Sequence, residues 1–175
     1  MSFQQTASQT VGPYFIIGFQ HGIRSDLAGD AAEAIVIRGR VYDGKGAPVS
    51  DGVLEFWQAG ADGRYAADSD AGFARVALDA DGRFELRTVK PGGIAGPQGQ
   101  TQAPHLLVNV FMRGLLKHAP TRVYFTGEAL NERDPVLALV PAARRATLIA
   151  ALGNDGSYQW DVRMQGADET VFFSY

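Results

Sequence analysis

The sequence predicts an all-β fold: a β-sandwich with an irregular N-terminal arm and one short helix near 141–152. Two observations carry that prediction. Seven or eight short segments alternate apolar and polar residues with period 2, and turn signals separate them every 8–12 residues. A third observation narrows the choice, because only the stretch near 141–152 places its apolar residues at helical spacing.

The elements follow in order. Residues 1–34 read as an arm and 35–175 as the sandwich. The arm is rich in Gln, Thr, Gly and Ala and contains Gly12-Pro13, an extended or turn signal. Tyr14, Phe15, Ile16, Ile17 and Phe19 are too apolar to leave in water, so the arm is expected to pack on a partner chain. Ile35, Ile37 and Val41 share one face of the first strand, with Arg38 and Arg40 on the other. VLEFWQA (53–59) is the second strand. FARVALD (73–79) and RFELRTV (83–89) flank Asp81-Gly82, a hairpin signal. A Gly/Pro/Gln loop over 90–104 leads to LLVNVFMR (106–113) and RVYF (122–125). Pro141 suits a first helical turn and Gly153 closes that helix. In YQWDVRMQ (158–165), Tyr158, Trp160, Val162 and Met164 lie on one face, and ETVFF (169–173) reads as a last strand whose Phe172-Phe173, like the arm, is expected to need a partner.

Composition removes several function classes. A chain of 175 residues can bury roughly 70% of its unfolded surface and fold as one domain without cross-links. Lys and Arg number 16 against 19 Asp and Glu, so there is no basic footprint for nucleic acid. Cysteine is absent, which excludes disulfides, thiolate metal sites and Cys nucleophiles. No apolar run approaches the roughly 20 residues that span a bilayer, and the first residues show no leader pattern. A cytoplasmic location without membrane contact is expected.

No dinucleotide fingerprint, phosphate loop, HExxH or GxSxG motif is present. The residues that stand out lie at loop–strand junctions, where sites often sit. Tyr65 follows a strand in GRY, and His105 opens a strand after the long loop. Arg113 falls in register with His105, Leu107 and Asn109 if that strand is regular, and its guanidinium could clamp a carboxylate. Taken singly, a Tyr and a His of this kind more often pack or bond a carbonyl, and an Arg more often forms a surface ion pair. His21 and His118 sit in polar stretches and attract no role.

Longer segments carry more. SQTVGPYF (8–15), RVYDGKGAPVSDGVLEFWQAGADGRY (40–65), RTVKPGG (87–93), QAPH (102–105), FMRG (111–114), TRVYF (121–125), DPVL (134–137) and VRMQGADETVFFSY (162–175) together resemble the intradiol ring-cleaving dioxygenases, in order and over nearly the whole chain. The resemblance implies a β-sandwich and O2-dependent opening of a catechol between its two hydroxylated carbons. It also implies a non-haem Fe(III) held by two Tyr and two His, since phenolate oxygens are hard ligands that favour Fe(III).

The SQT-GPY arm and QG-ETVFF tail resemble the alpha type of a two-chain member. In that member only the beta chain holds the complete ligand set, and protocatechuate becomes 3-carboxy-cis,cis-muconate. Here the four ligand positions align with Tyr65, Ile94, His105 and Leu107, so one Tyr and one His remain and two positions are alkyl. The catalytic Arg of the beta type precedes its first His by three residues, and Gln102 stands in that slot. The resemblance therefore implies a chain with no catalytic residue and no metal of its own. Its cofactor, Fe(III), would belong to the beta subunit of an alpha–beta hetero-oligomer. Its share of the active-site wall, facing a small aromatic substrate, would be Thr10, Gly12, Pro13 and Arg113. The alternative is a stand-alone β-sandwich interaction module without catalysis.

Overall fold

The computed structural model describes residues 6–12, 14–67, 69–96 and 99–174. Pro13, one of the expected wall residues, lies outside them. The main strands are β1 (Ala34–Tyr42), β2 (Val53–Gln58), β3 (Phe73–Ala77), β4 (Arg83–Val89), β7 (His105–Phe111) and β8 (Ala119–Phe125). Shorter ones are β5 (Ile94–Ala95), β6 (Thr101–Gln102), β9 (Ile149–Leu152), β10 (Tyr158–Gln159) and β11 (Val162–Arg163).

Strands β3, β2, β7 and β8 form one layer, and β4 and β1 with β10 and β11 form the other. Strand β9 joins them, pairing β8 on one side and β10 on the other. The alternation read from the sequence decides what lies between. Leu54, Phe56, Leu106, Val108, Val110 and Val123 from the first layer meet Ile37, Val41, Phe84, Leu86, Trp160 and Val162 from the second. The expected sandwich is present. A second, smaller cluster of Ala103, Tyr124, Leu137, Val140 and Leu148 fills the space under the 126–148 loop, at the end of β7 that carries His105.

Four local expectations need correction. Asp81-Gly82 does not make a hairpin, because β3 pairs β2 while β4 pairs β1. The turn carries the chain from one layer to the other, so that Ala74 and Val76 face Phe84 and Leu86 across the core. The stretch near 141–152 is a 3-10 helix over Ala142–Leu148 that gives way to strand β9, whose Ala150 is buried in the core. ETVFF is not a strand. Scattered main-chain bonds, from Thr170 N–H to the Arg163 carbonyl (2.9 Å) and from Phe173 N–H to the Pro120 carbonyl (2.8 Å), replace a ladder. Phe172 and Phe173 pack on the chain's own two clusters rather than waiting for a partner.

The arm, too, is only partly free. Helix α1 (Phe15–Phe19) sets Phe19 against Phe111 at 6.1 Å, and the Arg75 guanidinium lies 4.3 Å from the Phe19 ring centre. Bridges Arg24↔Arg75 and Asp26↔Arg87 tie the following residues to both layers. Tyr14 and Ile17 stay open, at 77% and 56% exposure.

Candidate functional site

Two groups of residues have to be placed, and β7 separates them. His105 is its first residue; Arg113 lies just past its last. The strand itself spans roughly 20 Å at about 3.3 Å per residue.

At the His105 end, backbone packing brings the segments together. Gly63 adopts a left-handed φ of +75°, and a Cβ there would lie 2.1 Å from the Gly93 carbonyl oxygen. A Cβ on Gly92 would lie 2.4 Å from the Ala61 oxygen. Only glycine allows this contact, and it sets the GRY turn against the segment that ends in Ile94. Ile94 pairs Gln102 across β5–β6, and His105 follows three residues later. All four ligand-aligned positions thus converge on one end of the sheet.

Their chemistry differs. Tyr65 is half-buried, with its ring stacked on Trp57 at 5.9 Å and 7° between planes. Burial pushes its phenol up, and the Arg122 charge opposes that shift. His105 is 3% exposed. Its Nδ1–H donates to the Ala103 carbonyl at 2.7 Å, since that oxygen can only accept, which leaves the lone pair on Nε2. Burial, assisted by the Arg122 charge and opposed by the Ala103 carbonyl and Asp134, holds the imidazole down at about 4. The ring is neutral near pH 7. Leu107 joins Trp57, Phe73 and Pro120 in lining an apolar groove of about 480 Å³.

Arg122 was not marked by sequence, and it stands in the middle of this group. It lies directly across β7–β8 from Leu107. Its Nη1–H donates to Gln102 Oε1 at 2.7 Å and to the Tyr124 hydroxyl at 3.2 Å. The Tyr124 hydroxyl donates in turn to Asp134 Oδ1 at 3.3 Å. Buried Asp134 also accepts from the main-chain N–H groups of Ala103, Val136 and Leu137 at 2.7–2.8 Å. It pins the loop that lids Tyr124 to the residue two before His105. In the sequence Asp134 stands out only as part of the DPVL segment (134–137), not as this anchor.

Fe(III) fits this set badly. Two positions offer donor atoms and two offer hydrocarbon, which cannot bond a metal. A permanently charged guanidinium lies among them. Among the described residues, no three His, Asp or Glu side chains converge as a metal-holding group.

At the other end, the Thr10 hydroxyl accepts from Gly114 N–H at 2.8 Å, which fastens the arm to the turn after β7. Arg113 lies outside the regular strand and pairs Asp51. Its guanidinium is 58% exposed. Gly12 is exposed with open space around its Cα, and its carbonyl accepts from Phe15 N–H at 3.2 Å. Thr10 and Arg113 therefore share a corner that opens to solvent, away from Tyr65 and His105. Gly12 lies two residues along the same arm.

A dioxygenase family model matches residues 11–166. The chain is 48% identical to the protocatechuate 3,4-dioxygenase alpha chain of Burkholderia cepacia, over 98% of both chains. It is 32% identical to the protocatechuate 3,4-dioxygenase beta chain of Burkholderia cepacia, over 79% of this chain and 67% of that one. Among solved structures, the dioxygenase domain of a dioxygenase–carbohydrate-binding protein fusion from Streptomyces sp. SirexAA-E superposes with a TM-score of 0.69. That match has 25% identity and covers 83% of this chain and 89% of that one.

Proposed function

The chain belongs to the intradiol ring-cleaving dioxygenase family, and from that premise we propose that it is the non-metal alpha subunit of a protocatechuate 3,4-dioxygenase. Its partner is a beta chain that carries the Fe(III). Together they convert protocatechuate and O2 into 3-carboxy-cis,cis-muconate, and the present chain supplies part of the pocket wall.

The observation that supports this most directly is the chemistry of four positions. Tyr65 and His105 keep an oxygen and a nitrogen, but Ile94 and Leu107 are alkyl. A Tyr–His pair alone holds ferric iron poorly against hydrolysis. The imidazole is also engaged in the fold, through Ala103 and the Tyr124 ring at 5.3 Å. The residues of this end serve packing.

The other end has the opposite character. Thr10, Gly12 and Arg113 form an open corner with exposed Tyr14, Ile17 and Leu116 in the arm and the adjoining turn. An exposed arginine, with exposed apolar residues on the same arm and in the adjoining turn, suits a partner that brings the metal and a carboxylated ring to it. Arg113 offers the substrate carboxylate a charge-assisted bond, and Thr10 holds the arm in place. The remaining exposed arm residues are the surface on which the partner packs. Among the described residues, no helix is long and apolar enough to cross a membrane.

Co-expression with a beta chain tests the proposal. The complex should take up O2 on addition of protocatechuate, and the chain alone should not. A chain that stays monomeric beside the beta chain and adds nothing to its activity would instead be an interaction module.

A further inference from the structure

We infer that Arg122 is a built-in cation that takes the place of the metal at the end of β7, so that restoring the two missing ligands does not by itself restore iron. The inference rests on the reading that positions 65, 94, 105 and 107 are where iron-bearing relatives place their donors.

One guanidinium connects to all four positions. Arg122 lies directly across the strand pair from Leu107. It donates at 2.7 Å to Gln102, which pairs Ile94 across β5–β6. Its charge acts on both Tyr65 and His105. The Arg122 Nε and the His105 Nε2, the atom by which this imidazole could bind a metal, are both buried and neither has a partner among the described residues.

The charge is also held firmly. Gln102 and Tyr124 both bond Nη1, and Tyr124 is anchored to Asp134. The Phe173 ring of the tail covers the guanidinium at 5.9 Å. Leu130 of the overlying loop sits 3.2 Å from where a Cβ on Gly93 would be, beside Ile94. These contacts hold the guanidinium beside the four positions. A trivalent ion would have to bind next to a fixed positive charge in a poorly hydrated place, where like charges repel strongly.

The experiment uses the full chain and ferric citrate. Three sets of variants are compared: Ile94→Tyr with Leu107→His; the same pair plus Arg122→Gln; and the same pair plus Arg122→Lys. Bound iron and the visible phenolate-to-iron absorption are measured, and circular dichroism verifies folding. The double variant and the Lys triple variant should stay colourless. The Gln triple variant should gain at least tenfold more iron and the colour. Equal iron in the double and Gln triple variants overturns the inference, as does a folded Gln triple variant that stays iron-free.

Should that triple variant not fold, Arg122→Gln alone is titrated with cobalt(II) chloride. Binding at Tyr65 and His105 should tighten at least tenfold, and unchanged affinity overturns the inference. Stoichiometric iron in the unaltered chain would instead overturn the reading of the four positions, and the inference with it.

Discussion

Arg113 and Arg122 sit nine positions apart and face opposite conditions. Arg113 is solvent-exposed beside Asp51, while Arg122 is half-buried between Gln102, Tyr124 and Phe173. An exposed ion pair stabilises the fold by under about 1 kcal/mol. Arg113→Ala should therefore leave the thermal midpoint almost unchanged and leave the iron content of the alpha–beta complex unaltered. A lost charge-assisted bond should raise KM for protocatechuate by roughly tenfold. Steady-state oxygen uptake checks this, and unchanged KM and kcat would remove Arg113 from the pocket.

His105 makes a prediction of its own. Its ring titrates at about 4 in the fold and near 6.5 when unfolded. The unfolded chain thus takes up a proton that the folded chain refuses. Stability is full above about pH 6.5 and falls as pH drops towards 4, by about 3 kcal/mol in all. Denaturant unfolding at pH 7 and 4.5 should show the wild-type chain losing about 2 kcal/mol more than His105→Gln. An equal loss in both would contradict the assignment. His105 was legible in the sequence because it opens a strand, whereas Tyr65, expected at such a junction, lies mid-loop between β2 and β3. Arg122 was not legible, although period 2 places it and Tyr124 on one face of RVYF. What matters about it is the register across β7–β8 and the fold of the 126–148 loop, and neither leaves a local trace.

At the scale of elements, the strands were readable wherever one face is buried and the other is not, as in β1, β2 and β7. The connections were less so. Asp81-Gly82 has hairpin chemistry but joins two layers, because pairing partners are chosen by the whole core rather than by the turn. AARRATL and IAAL look like one helix by spacing, yet β9 completes the sheet, with Ile149 and Ala150 pairing β8 and Ala151 and Leu152 pairing β10. Gly39 shows how tightly these layers are set. A Cβ there would fall 1.7 Å from the Trp160 carbonyl and 2.9 Å from the Phe84 ring, where the chain between β10 and β11 runs alongside β1. Gly39→Ala should cost roughly 2 kcal/mol or more, read as a lower denaturant midpoint. An unchanged midpoint would mean that β1 can shift at this point.

The whole molecule divides its chemistry between two ends of one sheet. One end, on the reading proposed above, corresponds to a metal site in which alkyl groups and an arginine stand in place of donors. The other gathers Thr10, Gly12 and Arg113 where a neighbour could use them. Fold class could be read from patterning, and family from the ordered segments between Ser8 and Tyr175. The division between the ends could not, because it depends on the length of β7 and on how the arm docks. Tyr14→Ser with Ile17→Ser removes exposed apolar surface that the fold does not use. The double variant should fold normally and bind the beta chain at least tenfold more weakly, by analytical ultracentrifugation. Undiminished binding would place the interface elsewhere.

The central claim is that catalytic iron resides in the partner and not in this chain. Native mass spectrometry of the active alpha–beta complex, followed by separation of the subunits and metal analysis of each, tests it most directly. The account predicts a single iron for each alpha–beta pair, all of it with the beta chain. Iron in stoichiometric amount on the separated chain described here would contradict it.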